Sequence, residues 1–333
     1  MTWHERIPKA ELHVHLEGAI PHAALFALIR KYGGDPSVPD VAALARRFEY
    51  RSFPEFIEAW VWKNRFLREA EDFTLIAAEM ARDMAAQGIR YAEVFYSPSI
   101  FVRPGLSVPD VTRAVRAGLA RVPAIEIALI ADLVRDYGPD AEMKTLAALQ
   151  EVRDLGVIGI GIGGSEQAFP PGPFRGLYEA ARAAGFRTTA HAGEAAGAAS
   201  IWGALRELRA ERIGHGTRAA DDPALVAHLI ERRIPLEMCP VSNVRTRVVG
   251  SLREHPIRRY FEAGMLVTVN TDDPMMFQTR LADEYRRLER ECGWTRAEIR
   301  RLILAAIESS WASEERKRAL VAEFTRDPAW HEA

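Results

Sequence analysis

The chain is poor in cysteine: Cys239 and Cys292 are the two it has in 333 residues. That excludes a disulfide framework and suits a reducing compartment. An excess of charge is also lacking. Forty-four Lys and Arg against 46 Asp and Glu leave a net charge of -2, so neither nucleic acid nor an anionic membrane is indicated as a partner. No apolar run reaches membrane-spanning length, and the opening MTWHERIPKAELHVH has no apolar signal core. The expected location is the cytoplasm. Linkers, low-complexity tracts and repeats are absent, and no GxGxxG fingerprint follows the first expected strand. What remains is 48% apolar and 27% charged, the balance of a soluble globular protein, and one domain over 1–333 is expected.

The most informative stretch is Glu11–Gly18, ELHVHLEG. His13 and His15 are two residues apart, and in a strand that period puts both imidazoles on one face while Leu12, Val14 and Leu16 turn to the other. Such a pair is half of a zinc or iron site, or simply two satisfied polar residues. Further strands are expected at Ile89–Ser97, Ile125–Ala131, Val157–Ile162, Phe186–His191, Arg212–His215, Pro235–Cys239 and Leu266–Thr271. Helical patterns separate most of them. Eight apolar strands in β-then-α order predict a closed (β/α)8 barrel of the TIM type, with additional helices after strand one and at the C-terminus.

A barrel of this kind carries its site at the carboxyl ends of its strands. The candidate residues fall there. Strand one ends in His13 and His15, strand four runs into Gly163-Gly164-Ser165-Glu166, and strand five ends in His191-Ala-Gly-Glu194. Strand six ends in His215, strand seven in Cys239-Pro-Val-Ser-Asn243, and strand eight in Asn270-Thr-Asp272-Asp273. His13, His15, His191 and Asp272 make a ligand set for one zinc ion with an open position for water, whose pKa the ion lowers. Glu194 and His215 are the available proton-handling pair. Cys239 reads as a buried small hydrophobe, and His4, His22, His228, His255 and His331 as surface residues.

One helical stretch, SFPEFIEAWVWKNRFL (Ser52–Leu67), repeats Phe53, Phe56, Ile57, Trp60 and Val61 at helical spacing, with Trp62 on another side. Such a stripe packs on the core, or forms a lid in which aromatic mass beside Lys63, Asn64 and Arg65 meets an amphipathic ligand.

Taken together the motifs resemble the adenosine deaminase family of metal-dependent purine deaminases. The matching pieces are PKAELHVHLEGAI (Pro8–Ile20), YAEVFYSP (Tyr91–Pro98), HAGE (His191–Glu194), RIGHGTR (Arg212–Arg218), LEMCPVSN (Leu236–Asn243) and VTVNTDDP (Val267–Pro274). They occur in the family's order over nearly the whole chain. The resemblance implies hydrolytic replacement of a purine 6-amino group by oxygen, with release of ammonia. It implies Zn²⁺ on His13, His15, His191 and Asp272, with His215 orienting the hydroxide and Glu194 protonating purine N1. Asp273 would bond N7, the Gly164 backbone N–H would bond N3, and a small-molecule purine is the implied partner. The cytidine-deaminase ligands H-x-E and P-C-x-x-C are missing.

Two departures concern the substrate. Adenosine deaminases generally read HLDG, their aspartate facing the ribose 5′-hydroxyl, whereas this chain has Glu17. HLEG is found in adenine deaminases, yet Gly163-Gly164-Ser165-Glu166 is nearer the nucleoside-type sequence after strand four. A 5′-modified adenosine such as aminodeoxyfutalosine reconciles the two, with Trp60, Trp62, Lys63 and Arg65 placed over an aromatic carboxylate. The alternatives are adenine deamination, another mononuclear metal hydrolase of the same barrel, and a non-catalytic binding barrel. Strand four, VIGIGI, has no lysine to bridge a second metal.

Overall fold

The computed structural model describes residues 1–50 and 53–332, without the side chains of 53 and 54. Eight strands form one parallel sheet in sequence order: β1 (Lys9–His15), β2 (Ile89–Tyr96), β3 (Glu126–Val134), β4 (Val157–Gly163), β5 (Arg187–Ala192), β6 (Arg212–His215), β7 (Leu236–Met238) and β8 (Val267–Val269). Each pairs in parallel with the next. Closure comes just past β8, where Asp272 bridges Val14. The His15 N–H donates to the Asp272 carbonyl at 2.7 Å, and the Asp272 N–H to the His13 carbonyl at 3.0 Å. The bonds that shut the barrel are thus made by the backbone of three site residues.

The strands are buried on both faces because helices wrap the outside and side chains fill the inside. The filling is polar. Arg212 lies between Glu93 Oε2 (2.5 Å) and Glu237 Oε1 (2.6 Å), its guanidinium 3.7 Å from the Trp311 ring. Bulk inside the barrel is balanced by its lack on β4. A Cβ on Gly159 would stand 2.6 Å from Trp311, one on Gly161 2.7 Å from Phe95, and one on Gly163 2.7 Å from Asp132. Those glycines make room for their neighbours, and no side chain of β4 reaches the mouth.

Between β1 and β2 the chain inserts helices His22–Lys31, Val41–Arg47, Phe53–Asn64 and Ala70–Ala86, and Leu281–Cys292, Arg296–Ser309 and Glu314–Arg326 close the C-terminal side. Both additions agree with the sequence pattern. Three local readings change. β3 runs on past Ala131 and so carries Asp132 to the mouth. The helical pattern between β5 and β6 loosens into a π turn at Ala204–Leu208 before Arg209 turns left-handed. His4 and His255, read as surface residues, are buried at 4% and 3% exposure.

The Phe53–Asn64 helix divides its stripe. Ser52 and the Phe53 side chain lie outside the described residues. Phe56 is buried, whereas Ile57 and Val61 are 41% and 55% exposed. Trp62 faces the interior, with Nε1 donating to Asp35 Oδ2 at 2.9 Å and Arg47 stacked on its ring. Phe56 therefore packs, while Ile57, Trp60 and Val61 border the mouth. Among the described residues no helix is long and apolar enough to cross a membrane.

Candidate active site and metal centre

The carboxyl ends of the strands open into one cavity of about 560 Å³, lined by His15, His191, Glu194, His215, Asp272 and Asp273 at its floor. The ring orientations of the floor are fixed from behind. His13 Nδ1 is 2.8 Å from Glu237 Oε2. A carboxylate buried beside Arg212 only accepts, so Nδ1 carries the proton and Nε2 offers its lone pair. That Nε2 is buried and has no hydrogen-bond partner. His191 Nδ1 faces the Ile162 carbonyl at 3.2 Å and must donate, which also leaves Nε2 free. His15 Nε2 is 3.2 Å from His191 Nε2 and 3.3 Å from Asp272 Oδ1, and His13 Nε2 is 3.6 Å from the same oxygen.

One ligand atom from each of His13, His15, His191 and Asp272 lies within 4.8 Å of all the others. Three imidazole nitrogens and a carboxylate oxygen drawn this close together in a buried site call for positive charge among them, so the donor set fits a metal ion. Three imidazoles and one carboxylate suit zinc in a catalytic site with an open position. Ser242 Oγ donates to Asp272 Oδ2 at 2.6 Å, which leaves Oδ1 turned to the imidazoles. His215 and Asp272 both have positive φ, 61° and 65°. For residues other than glycine this backbone is costly and marks functional sites. Here it turns each side chain inward at the end of its strand.

Two further ionisable groups, Glu194 and His215, stand at the side of this cluster. Glu194 Oε2 is 3.5 Å from His215 Nε2. Burial, together with the charges of Asp272 and Glu166, pushes the Glu194 carboxyl well above its ordinary range. Burial pulls His215 down to about 4, which keeps it neutral. Burial and the neighbouring Asp272 raise Asp273 to about 7. Gly18 permits Asp273 its place, since a Cβ there would stand 1.8 Å from Asp273 Oδ1.

The loop that carries Glu194 is held by Glu166. Its Oε1 accepts from the Gly193 N–H at 2.6 Å. Its Oε2 accepts from Glu194, Ala195 and Ala196 N–H at 3.2, 2.7 and 2.9 Å. One buried carboxylate thus gathers four consecutive amides and sets the position of Glu194.

Of the substrate-side candidates, Gly164 lines the cavity with φ +99°, as do Asp273, Trp60 and Arg65. Trp62, Lys63 and Glu17 do not line it. Glu17 is 1% exposed, and its Oε1 accepts from the Ser97 N–H at 2.9 Å behind the wall. Lys63, also buried, donates to Asn64 Oδ1 at 2.7 Å. Burial lowers its ammonium to about 8 against the upward pull of Asp273 and Glu17.

Sequence reasoning assigned no role to Glu237, Glu166, Asp132 or the buried His255. A usable signal existed for two of them. Glu237 and Asp132 are lone carboxylates inside otherwise apolar strands, which is costly unless a partner waits. Cys239 is a buried thiol, as its sequence context suggests.

The profile of the adenosine deaminase family matches residues 8–326. An aminodeoxyfutalosine deaminase from Streptomyces avermitilis is 37% identical over 97% of this chain and 92% of its own length. The crystal structure of an adenine deaminase from Arthrobacter aurescens superposes with a TM-score of 0.91 at 33% identity, covering 96% of this chain and 98% of that one. An amidohydrolase from Burkholderia ambifaria with bound Zn gives a TM-score of 0.88 at 30% identity, over 97% and 91%. With six motifs in order, the barrel and a donor set that fits a metal, the chain is an enzyme of the adenosine deaminase family.

Proposed function

We propose that this enzyme deaminates a 5′-modified adenosine, of the aminodeoxyfutalosine kind, with one Zn²⁺ held by His13, His15, His191 and Asp272. The ion would supply Lewis acidity and so a water that ionises near neutrality. The protein's own groups handle the purine. Glu194, kept protonated by its burial, gives its proton to N1 as the water oxygen adds at C6. His215 holds that oxygen from the side. The Asp273 carboxyl bonds N7, and the Gly164 N–H bonds N3. Collapse of the adduct moves the proton of the added hydroxyl to the 6-amino nitrogen, which leaves as ammonia, and restores the ring as a 6-oxopurine. The other proton of the water returns Glu194 to its carboxylic acid form. His15 and Asp272 border the same floor and define where C6 is placed.

The single observation that carries the substrate reading is the upper half of the cavity. Ile57, Val61 and Tyr137, at 41%, 55% and 48% exposure, form an apolar rim together with Trp60 and Ile100. Arg65 and Arg103 line the same wall, Arg103 Nη2 donating to the Leu67 carbonyl at 2.6 Å. A bare purine leaves this surface wet, whereas an aryl carboxylate on the 5′ side covers the apolar rim and meets a guanidinium. Glu17 shapes the sugar end from behind Ser97 without entering it.

The competing reading, adenine deamination, is favoured by Glu17 in the HLEG motif and by the likeness to the Arthrobacter enzyme. A spectrophotometric screen of adenine, adenosine, methylthioadenosine, S-adenosylhomocysteine and aminodeoxyfutalosine separates them by kcat/KM. Aminodeoxyfutalosine is expected to lead. A higher kcat/KM for adenine than for every adenosine derivative would end the 5′-modified reading.

A further inference from the structure

His255 starts a directed chain of hydrogen bonds that ends on His215. The Ile257 N–H points at His255 Nδ1 at 3.3 Å, and a backbone N–H is always the donor. His255 Nδ1 therefore offers its lone pair. Burial lowers this imidazole to about 3, so it is neutral and carries its one proton on Nε2. Nε2 is 3.1 Å from Asn243 Oδ1 and donates to it. That fixes which way round the Asn243 amide lies, a choice that only its partners can settle. Its NH₂ then faces His215 Nδ1 at 3.0 Å and donates in turn. His255, Asn243 and His215 are 3%, 0% and 1% exposed, so water does not compete at any link.

We infer that His255, acting through Asn243, is a positioning residue that locks His215 in the tautomer with its proton on Nε2. In that tautomer the one lone pair of His215 is spent on Asn243. The nitrogen beside Glu194 is then a fixed N–H donor and cannot act as a base. His215 is thereby restricted to holding an oxygen, and proton traffic is left to Glu194. The consequence for turnover rests on the deaminase reading above; the tautomer itself does not.

The test is imidazole ¹⁵N NMR on the full chain labelled with ¹⁵N-histidine, His215 being assigned by its absence from His215→Gln. The wild type, without substrate, should show an unprotonated Nδ1 and a protonated Nε2 on His215. Finding the proton on Nδ1 would overturn the inference, whatever the enzyme turns over. In Asn243→Asp, a carboxylate accepts from both rings, so the His215 proton should move to Nδ1. The loss of one oriented donor should then lower kcat about 10²-fold, with KM and zinc content little changed. His255→Gln keeps an N–H aimed at Asn243 and should retain the wild-type tautomer, whereas His255→Phe should mix the two forms. A wild-type spectrum and kcat in His255→Phe would refute the positioning role. Should that variant not fold, the wild-type spectrum alone still decides.

Discussion

Glu166→Gln is the most demanding test of how the acid is placed, because it changes charge and donor pattern at almost constant volume. In the wild type, two carboxylate oxygens accept four amides from Gly193 to Ala196. Glutamine keeps one accepting oxygen and turns an NH₂ towards the remaining N–H groups. If the oxygen stays on the three amides at Oε2, one contact becomes donor against donor. If it takes the Gly193 side, three do. Either way the bonds that survive lose the carboxylate's charge. At about 1.5–3 kcal/mol for a bond to a charged group, the loss is roughly 1.5–3 kcal/mol in the first case and roughly 4.5–9 kcal/mol in the second. For a chain of this length that corresponds to about 2–4 °C or about 7–13 °C in Tm, taking about 2 cal/mol/K of unfolding entropy per residue. The loop cannot keep its path, and a displacement of about 1 Å at the acid costs on the order of 10² in kcat/KM. Differential scanning calorimetry and steady-state assays on zinc-replete enzyme measure both effects. A Glu166→Gln variant with wild-type Tm and wild-type kcat/KM would show that this carboxylate does not hold the loop.

Four shorter expectations go with it. Glu194→Gln should keep its zinc by elemental analysis and lose most turnover, since an amide has no carboxylic proton to give; near-normal activity would remove Glu194 as the acid. His13→Ala deletes one of the four clustered ligands and should lose the metal, so full zinc occupancy would show that the ligand set is wrong. Gly18→Ala builds a Cβ 1.8 Å from Asp273 Oδ1 and should raise KM more than it affects zinc binding; unchanged KM would place N7 elsewhere. Lys63→Met should alter the pH dependence of stability with a definite sign. The folded chain holds Lys63 at about 8, below the 10.5 of a free lysine, so the wild type binds fewer protons than the unfolded chain between those values. Wild-type stability should therefore rise relative to Lys63→Met as pH goes from 8 to 10.5. A constant or falling difference in denaturant titrations would contradict the burial.

The barrel could be read from the sequence because each strand is a short apolar run ending in a chemically marked residue. His13 and His15 share a face by strand period alone, and Asp272 and His215 follow their strands directly. What stayed hidden depends on partners far away in the chain. Glu237 reads as one charge in an apolar strand until Arg212 on one side and His13 on the other are seen to use both its oxygens. Asp132 was lost to a boundary three residues short of Val134, and β3 continues because its register with β4 runs on to Gly163. His255 opens a helical pattern over 255–263, where nothing local separates a buried histidine from a surface one, so only tertiary burial shows it is not at the surface. The aromatic stripe stayed open for a different reason. Helical spacing shows that Phe56, Ile57, Trp60 and Val61 share a side, but not whether that side meets protein or ligand.

Glu17 shows how a motif letter and its placement can separate. By sequence it is the residue that most clearly sets this chain apart from adenosine deaminases with HLDG. In the structure its Oε1 is tied to the Ser97 N–H, its Oε2 is buried without a hydrogen-bond partner, and the Lys63 ammonium is close enough to be pulled by its charge. A carboxylate spent in this way organises the wall from behind. Ser97, which it holds, and Asn64 at the end of the Phe53–Asn64 helix line the cavity in its place. Asn64 shows the effect: with Oδ1 accepting from Lys63, its Nδ2 is a buried donor without a partner on the edge of the cavity. Chemistry and specificity are therefore built by different means here. The proposed metal ligands, Glu194 and His215 are fixed by strand ends and by partners beneath them. For the proposed substrate, selection along the 5′ direction would fall to the rim, which the Phe53–Asn64 helix shares with Ile100, Arg103 and Tyr137.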